Sequence, residues 1–231
     1  MSATVQDVID EVRFTIHDTD SGNFRWTDAE LIDYVNAASR QIVTIVPEAN
    51  VVETIETITN NIARQSLPAG GIKFLKAVRN VSESNGTTQE GAIRYCEKDV
   101  LDSFDPDWEH DTTVKTLAAS VNFFDHYLHD PRSPKVYFLY PAASSTAYAE
   151  IQYSAVPTAL TAVGNTIPLA DEYLEAYQGY VTFRALTKES RDTLPTQYRQ
   201  ELWNNFLLAL GQKLQSERRV SPEQNIPPET P

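Results

Sequence analysis

Ile42-Val43-Thr44-Ile45-Val46-Pro47-Glu48-Ala49-Asn50-Val51-Val52-Glu53-Thr54-Ile55-Glu56-Thr57-Ile58 changes its hydrophobic period at the proline, and that change decides the fold class. Upstream, Leu31, Val35, Ala38, Ile42 and Ile45, with Ile32 and Val46 alongside, recur at three- and four-residue steps, the stripe of a helix that buries one side. Pro47 has no N–H to give to a further turn and ends that helix. Downstream, Val52, Thr54, Glu56 and Ile58 alternate with Val51, Glu53, Ile55 and Thr57 in a β-branched run, the period of a strand. Helix followed by consecutive strands predicts an α+β chain rather than a βαβ one.

Toward the N-terminus, Val5, Val8, Ile9, Val12 and Ile16 predict a first helix over residues 4–17. A polar connector containing Gly22 leads to Thr27, placed to cap the second helix, with Glu30 three residues on to complete a capping box. Toward the C-terminus, Asn60-Asn61 marks a turn, and residues 62–67 and 72–81, joined by Pro68-Ala69-Gly70-Gly71, continue as strands of a small antiparallel meander. Residues 82–91 read as a polar loop and 97–104 as a short helix burying Val100, Leu101 and Phe104. Residues 120–128, 135–140 and 147–154 read as further strands. After Ile167-Pro168-Leu169-Ala170-Asp171 the helical period returns, with Tyr173, Tyr177, Tyr180 and Arg184 along one side and Leu174, Val181 and Ala185 along another. A face that wide belongs to a central helix. Pro195 opens a last helix with the stripe Leu202, Phe206, Ala209, Leu210 and Leu214, ending near Arg218-Arg219.

The expected architecture is therefore a helical core, residues 1–50 and 158–219, built from two N-terminal and two C-terminal helices. An antiparallel β insertion occupies 51–157, and an extended Pro-rich tail 220–231. The tail holds four prolines and almost nothing apolar, so it cannot fold alone; it is either inert or a docking segment that orders on a partner.

With 231 residues, 41% of them hydrophobic, the chain can bury a sizeable core. Its net charge of −13 has the wrong sign for coating phosphate or anionic lipid. Cys96 is the single cysteine, which excludes an internal disulfide and a thiolate cluster and fits a reducing compartment. No apolar run approaches the ~20 residues of a membrane span, and the N-terminus lacks a signal-peptide pattern, so the expectation is a cytosolic, unanchored protein.

Candidate chemistry is sparse. His126 and His129 would stand on opposite faces of a strand, poor geometry for one metal. Asp105, Asp107, Glu109 and Asp111 alternate as a calcium loop begins, but His110 replaces the glycine of the sharp turn and Thr116 the bidentate glutamate. A solvated acidic loop is the simpler reading, with a loose surface cation as the alternative. Phosphate loops, nucleophile elbows, H-E-x-x-H and C-x-x-C are absent, so no catalytic residue, metal ligand or cofactor is assigned. Tyr173, Tyr177 and Tyr180 lack the interleaved cations of a base-stacking platform and read as core or subunit-interface packing, with Arg184 beside them.

Trp26-Thr27-Asp28-Ala29-Glu30-Leu31-Ile32-Asp33-Tyr34-Val35-Asn36-Ala37-Ala38 resembles the early helix of phage head-to-tail connector (adaptor) proteins, which carry W-[ST]-D-x-E-L-x-x-[YF]-x-N-x-A. Ile167-Pro168-Leu169-Ala170-Asp171-Glu172-Tyr173, followed by Tyr180-Val181-Thr182-Phe183-Arg184-Ala185-Leu186-Thr187-Lys188-Glu189, is similar to that family's LP-x-x-Y … Y-V-x-x-[RK]-A-L-x-K-[DE] helix. Val136-Tyr137-Phe138-Leu139-Tyr140-Pro141 and Ile151-Gln152-Tyr153-Ser154-Ala155-Val156-Pro157 fall, in the same order, where the family has strands ending in proline.

The resemblance implies a non-enzymatic virion protein of the phage neck, made in the bacterial cytoplasm. By that resemblance it would assemble as a ring of twelve under the portal protein. DNA would pass through its channel without sequence-specific binding, a tail or terminator protein would dock beneath, and no membrane is involved. Within that frame the tail, through Val220, Pro222, Ile226, Pro227 and Pro228, is expected to dock on the portal. Tyr173, Tyr177, Tyr180 and Arg184 are expected at the subunit interface. An acidic binding module of another assembly, or a hydrolase with dispersed carboxylates, are the competing readings.

Overall fold

The computed structural model describes residues 2–109, 123–189 and 196–220. In chain order the helices are α1 (Val5–Thr15), α2 (Asp28–Ile45), α3 (Lys98–Phe104), α4 (Leu174–Glu189) and α5 (Thr196–Val220). The strands are β1 (Val51–Ile58), β2 (Arg64–Ser66), β3 (Gly71–Val81), β4 (Gln89–Ala92), β5 (Arg94–Tyr95), β6 (His126–Leu128), β7 (Val136–Tyr140) and β8 (Ala147–Ala155). The fold is thus mixed α+β, and it divides into two compact units, Met1–Ala49 with Pro157–Pro231, and Asn50–Val156.

In the helical unit, the Thr4 hydroxyl accepts from the Asp7 N–H and the Asp7 carboxylate accepts from the Thr4 N–H, so both ends of a capping box start α1. Val5, Val8, Ile9 and Val12 are then fully buried. Thr27 caps α2 as expected, but Glu30 does not turn back to close a second box. Its carboxylate instead accepts from Lys188 and from the Tyr34 hydroxyl, partners that a bare cap N–H does not match. On α2 the buried set is Leu31, Ile32, Val35, Ala38, Ser39, Ile42 and Val43; Ile45, expected in the stripe, is 36% exposed. Central α4 packs on α1, α2 and α5. Tyr180, Phe183, Trp203 and Phe206 interlock between α4 and α5, with ring centroids 5.1–6.4 Å apart. Pro195 lies outside the described residues, as does the side chain of Leu214, and the helix runs on to Val220.

The β unit is two four-stranded sheets, ordered β1-β8-β3-β4 and β2-β7-β6-β5. Phe74, Ala77, Ile151 and Tyr153 of the first pack with Tyr137 and Leu139 of the second and with Phe124 and Ile93 from the connecting segments, a sandwich core. The far face of the second sheet, Phe138, Tyr140 and Leu128, is covered by Leu101 of α3 and by Trp108. Long-range pairing overturns the expected meander. β1 and β3 both pair with β8, and β2 joins the other sheet, so no two of the first three strands are neighbours. Nor is the insertion wholly antiparallel, because β5 runs parallel to β6. β4 falls at the end of the segment expected to be loop, and of residues 120–128 only His126–Leu128 is strand, 120–122 being outside the described residues.

β3 follows a rule of its own. Its buried residues are Gly71, Phe74, Ala77, Asn80 and Val81, stepping by three as far as Asn80, because the pairing with β8 slips after Gly71, Phe74 and Ala77. Each bulge carries one unpaired aliphatic residue, Ile72, Leu75 or Val78, and sends the following Lys73, Lys76 or Arg79 to the outer face. β1, by contrast, pairs with β8 over eight consecutive residues with no slip. Gly86 has φ +73°, a conformation that favours glycine, and its loop lies against the tip of the Ile55 side chain.

Candidate assembly surfaces

Arg13 stands one turn after Ile9 on the apolar side of α1 and is 4% exposed. Its guanidinium donates to Asp18 at 2.7 Å, to Asp28 at 2.7 Å and to the Trp26 carbonyl at 2.9 Å, and it lies 3.5 Å from the Phe24 ring centroid. Asp18, itself buried, also accepts from the Arg25 and Trp26 N–H groups. One buried cation therefore folds the α1–α2 connector and sets the start of α2. Sequence reasoning passed over it; the available signal was a lone arginine on an apolar stripe, with two aspartates in the connector that follows.

The remaining residues of the Trp26–Ala38 motif also serve the chain's own packing. Trp26, Leu31, Val35 and Ala38 are buried. The Asn36 side chain donates to the Leu160 carbonyl and accepts from the Leu160 N–H at 2.9 and 2.7 Å, acting as a one-residue strand for the returning chain. Ser39 meets the Tyr177 hydroxyl at 2.8 Å, and burial pushes that phenol up to about 12. Glu30 is held below the ordinary glutamate range, chiefly by the hydrogen bond from Lys188. Tyr34, which donates to Glu30, is pushed up to about 12, first by burial. Arg184 sits 5.4 Å over the Tyr34 ring. The two motif segments therefore touch each other, Tyr34 under Arg184 and Glu30 with Lys188, which ties α2 to α4 side by side.

Of the α4 residues expected at a subunit interface, Tyr173, Tyr177 and Tyr180 are buried within their own chain, and Arg184 is exposed. Of the expected tail, Pro222, Ile226, Pro227 and Pro228 lie outside the described residues, and Val220 is the last residue of α5. In the acidic stretch, Asp105 accepts from the Tyr140 hydroxyl at 3.2 Å, and Glu109 pairs with Lys98 at 2.8 Å. Asp102, just before it, accepts from the indole of Trp108 at 2.6 Å. His110 and Asp111 are outside the described residues. Among the described residues no group of three His, Cys, Asp or Glu is placed to hold a metal ion. No described helix is long and apolar enough to cross a membrane.

Two hollows remain. One, of about 580 Å³, lies in the helical unit against Ile16, Leu186, Tyr198 and Leu202 and is mainly apolar. The other, of about 320 Å³, lies in the β unit between β1 and β2 and presents Glu56, Arg64, Gln65, Ser66 and Tyr137. Large apolar side chains stand in solvent beside these units: Phe14 and Leu208 on the helices, Tyr95, Val100 and Phe104 on the β unit.

Among curated proteins none matches the chain. A family model described as SU10 adaptor protein matches residues 3–227, a span that takes in the buried Arg13 connector, both motif helices and the β unit between them. By that match across nearly its whole length, the chain belongs to the SU10 adaptor protein family.

Proposed function

We propose that this protein is a structural head-to-tail adaptor of a tailed phage virion. Copies form a ring in the neck, beneath the portal, that prolongs the DNA channel and receives the tail. The observation that carries the reading is the adaptor-family match over residues 3–227, a span that includes both motif segments. The net charge of −13 suits a channel wall that DNA must slide past. Twelve copies are the expected stoichiometry, and the role is assembly without catalysis. Arg184, exposed on α4 with its guanidinium over Tyr34, is the residue assigned to meet a neighbouring copy, and the buried Tyr173, Tyr177 and Tyr180 support it from within the chain.

Docking on the portal is assigned to the Pro-rich tail through Val220, Pro222, Ile226, Pro227 and Pro228, each contact weak and the ring of copies strong by avidity. Electron microscopy of the purified chain mixed with the portal protein of the same phage tests the reading; rings added beneath the portal are expected, and free monomers beside bare portals would refute it. A chain lacking residues 221–231 should keep its melting temperature and lose portal binding; full binding by that variant would remove the tail from the interface. An acidic module of some other assembly would leave the portal untouched.

A further inference from the structure

Each sheet of the β unit ends in two edges, and the edges fall on opposite sides of the sandwich. β1 and β2 lie together on one side, around the 320 Å³ hollow, and β4 and β5 lie together on the other. An exposed edge strand is normally blunted by lysine, proline or a bulge, because its free N–H and C=O groups invite another strand. β1 has none of these. It is eight residues of Val, Glu, Thr and Ile in unbroken register with β8, whereas the pairings of β3 with β8 and with β4 both slip. The Thr59 N–H and C=O both meet Gln65, on the side away from β8. By the two-residue repeat of a strand, Val51, Glu53, Ile55 and Thr57 turn their backbone groups the same way. Among the described residues β8 is the strand paired with β1, and no second strand pairs with its other edge.

The opposite side carries what this edge lacks. Tyr95 on β5 is 57% exposed, touching Tyr127 edge-on and otherwise projecting into solvent. The hollow beside β1 has about twice the ~150 Å³ that holds a benzene ring, and Glu56, Arg64 and Gln65 on its wall offer partners for a phenol hydroxyl. Charges of both signs stand on each side, Glu53, Glu56 and Arg64 on the first and Arg94 and Glu90 on the second, so Glu56 can be set against Arg94 and Arg64 against Glu90. Copies of a chain with net charge −13 repel unless their contact is locally complementary in this way.

We propose that the β1–β2 side of the sandwich binds the β4–β5 side of a second copy of this chain, whose Tyr95 enters the hollow between β1 and β2. Two different sides of one unit then join, a heterologous contact that repeats from copy to copy and closes into a ring. The inference rests on the ring reading above and specifies which surface makes it.

The native Cys96, next to Tyr95, makes a direct test possible. In the full-length Thr57→Cys variant each chain carries one thiol per side, Thr57 being exposed on β1. A short bis-maleimide added to assembled rings, alone or on the portal, should give a covalent ladder of three and more chains. The parent chain, with Cys96 alone, cannot pass the dimer. Tyr95→Ala in the same background should abolish the ladder with an unchanged melting temperature. Glu56→Arg should weaken it at least tenfold, and adding Arg94→Glu should restore it. Rings without a ladder would overturn this interface and leave the adaptor reading standing. Dimers only would mean that like edges pair, and cross-links running to the portal would mean a different occupant; either result overturns the proposal. Absence of rings under every condition would sink the ring reading itself.

Discussion

Replacing Arg13 with methionine should cost the helical unit about 3–5 kcal/mol, the range found when one partner of a buried ion pair is removed. The structure says where that cost arises. Asp18, whose side chain is 5% exposed, would keep two backbone N–H donors and lose its only cation, and the Trp26 carbonyl would lose its donor. Asp28, at 57% side-chain exposure, is rehydrated and adds roughly 0–1 kcal/mol at most. For a chain of this size the shift in melting temperature should be roughly 6–20 °C. Urea unfolding of Arg13→Met, Asp18→Asn and the double variant forms a cycle, in which the pair removed together should cost less than Arg13→Met alone, since no buried charge is then left stranded. Hydrogen exchange adds a local readout: the Arg25 and Trp26 amides, held by Asp18, should lose protection first. Raising the salt should leave the cost nearly unchanged, because a buried pair is screened little. An Arg13→Met chain within about 0.5 kcal/mol of the parent would refute the idea that this cation organises the connector.

Two further outcomes follow from single contacts. Asn80, 2% exposed, donates to the Gly91 and Phe124 carbonyls and accepts from the Phe124 N–H; Asn80→Ala should destabilise the β unit by about 2–4 kcal/mol in urea unfolding, and a loss below about 1 would show that the clamp is dispensable. Glu30 titrates below its unfolded value, so its tie to Lys188 is fully present above the ordinary glutamate range, near pH ~4.3, and fades as the pH falls through the lower folded value; Lys188→Met should remove about 0–1 kcal/mol at pH 7 and flatten that part of the acid profile, and an identical acid limb in both chains would contradict the assignment.

The motif reading and the structural reading of the helical unit meet at α2 and α4. The sequence alone shows most of the residues of these helices that turn inward, since the 3.6-residue period is imposed locally; Ile45 and Arg184, both exposed, depart from it, and Leu174 is half-buried. It does not show that Glu30 abandons its own cap for Lys188, a residue 158 positions away, because that choice depends on a surface assembled by the whole unit. The proposed interface was still less legible. Tyr95 lies in a segment too short and too polar to announce a strand, and it becomes an edge residue only because β5 pairs with β6.

Local chemistry in the amino-acid sequence determined the kinds of element: helices up to Pro47, strands from Val51, a short helix before Asp105, and strands at 136–140 and 147–155. Their partners were decided in three dimensions. β1 and β3 meet across β8 because Ile58, Phe74, Ala77, Ile151 and Tyr153 must share one apolar layer, and nothing near β1 in the chain names β8. β3 hides its inward face from a period-two reading because three bulges stretch the repeat to three, a register that only the neighbouring strand can impose. Periodicity belongs to one residue and the next, whereas pairing and burial depend on surfaces that exist only once the chain has closed on itself.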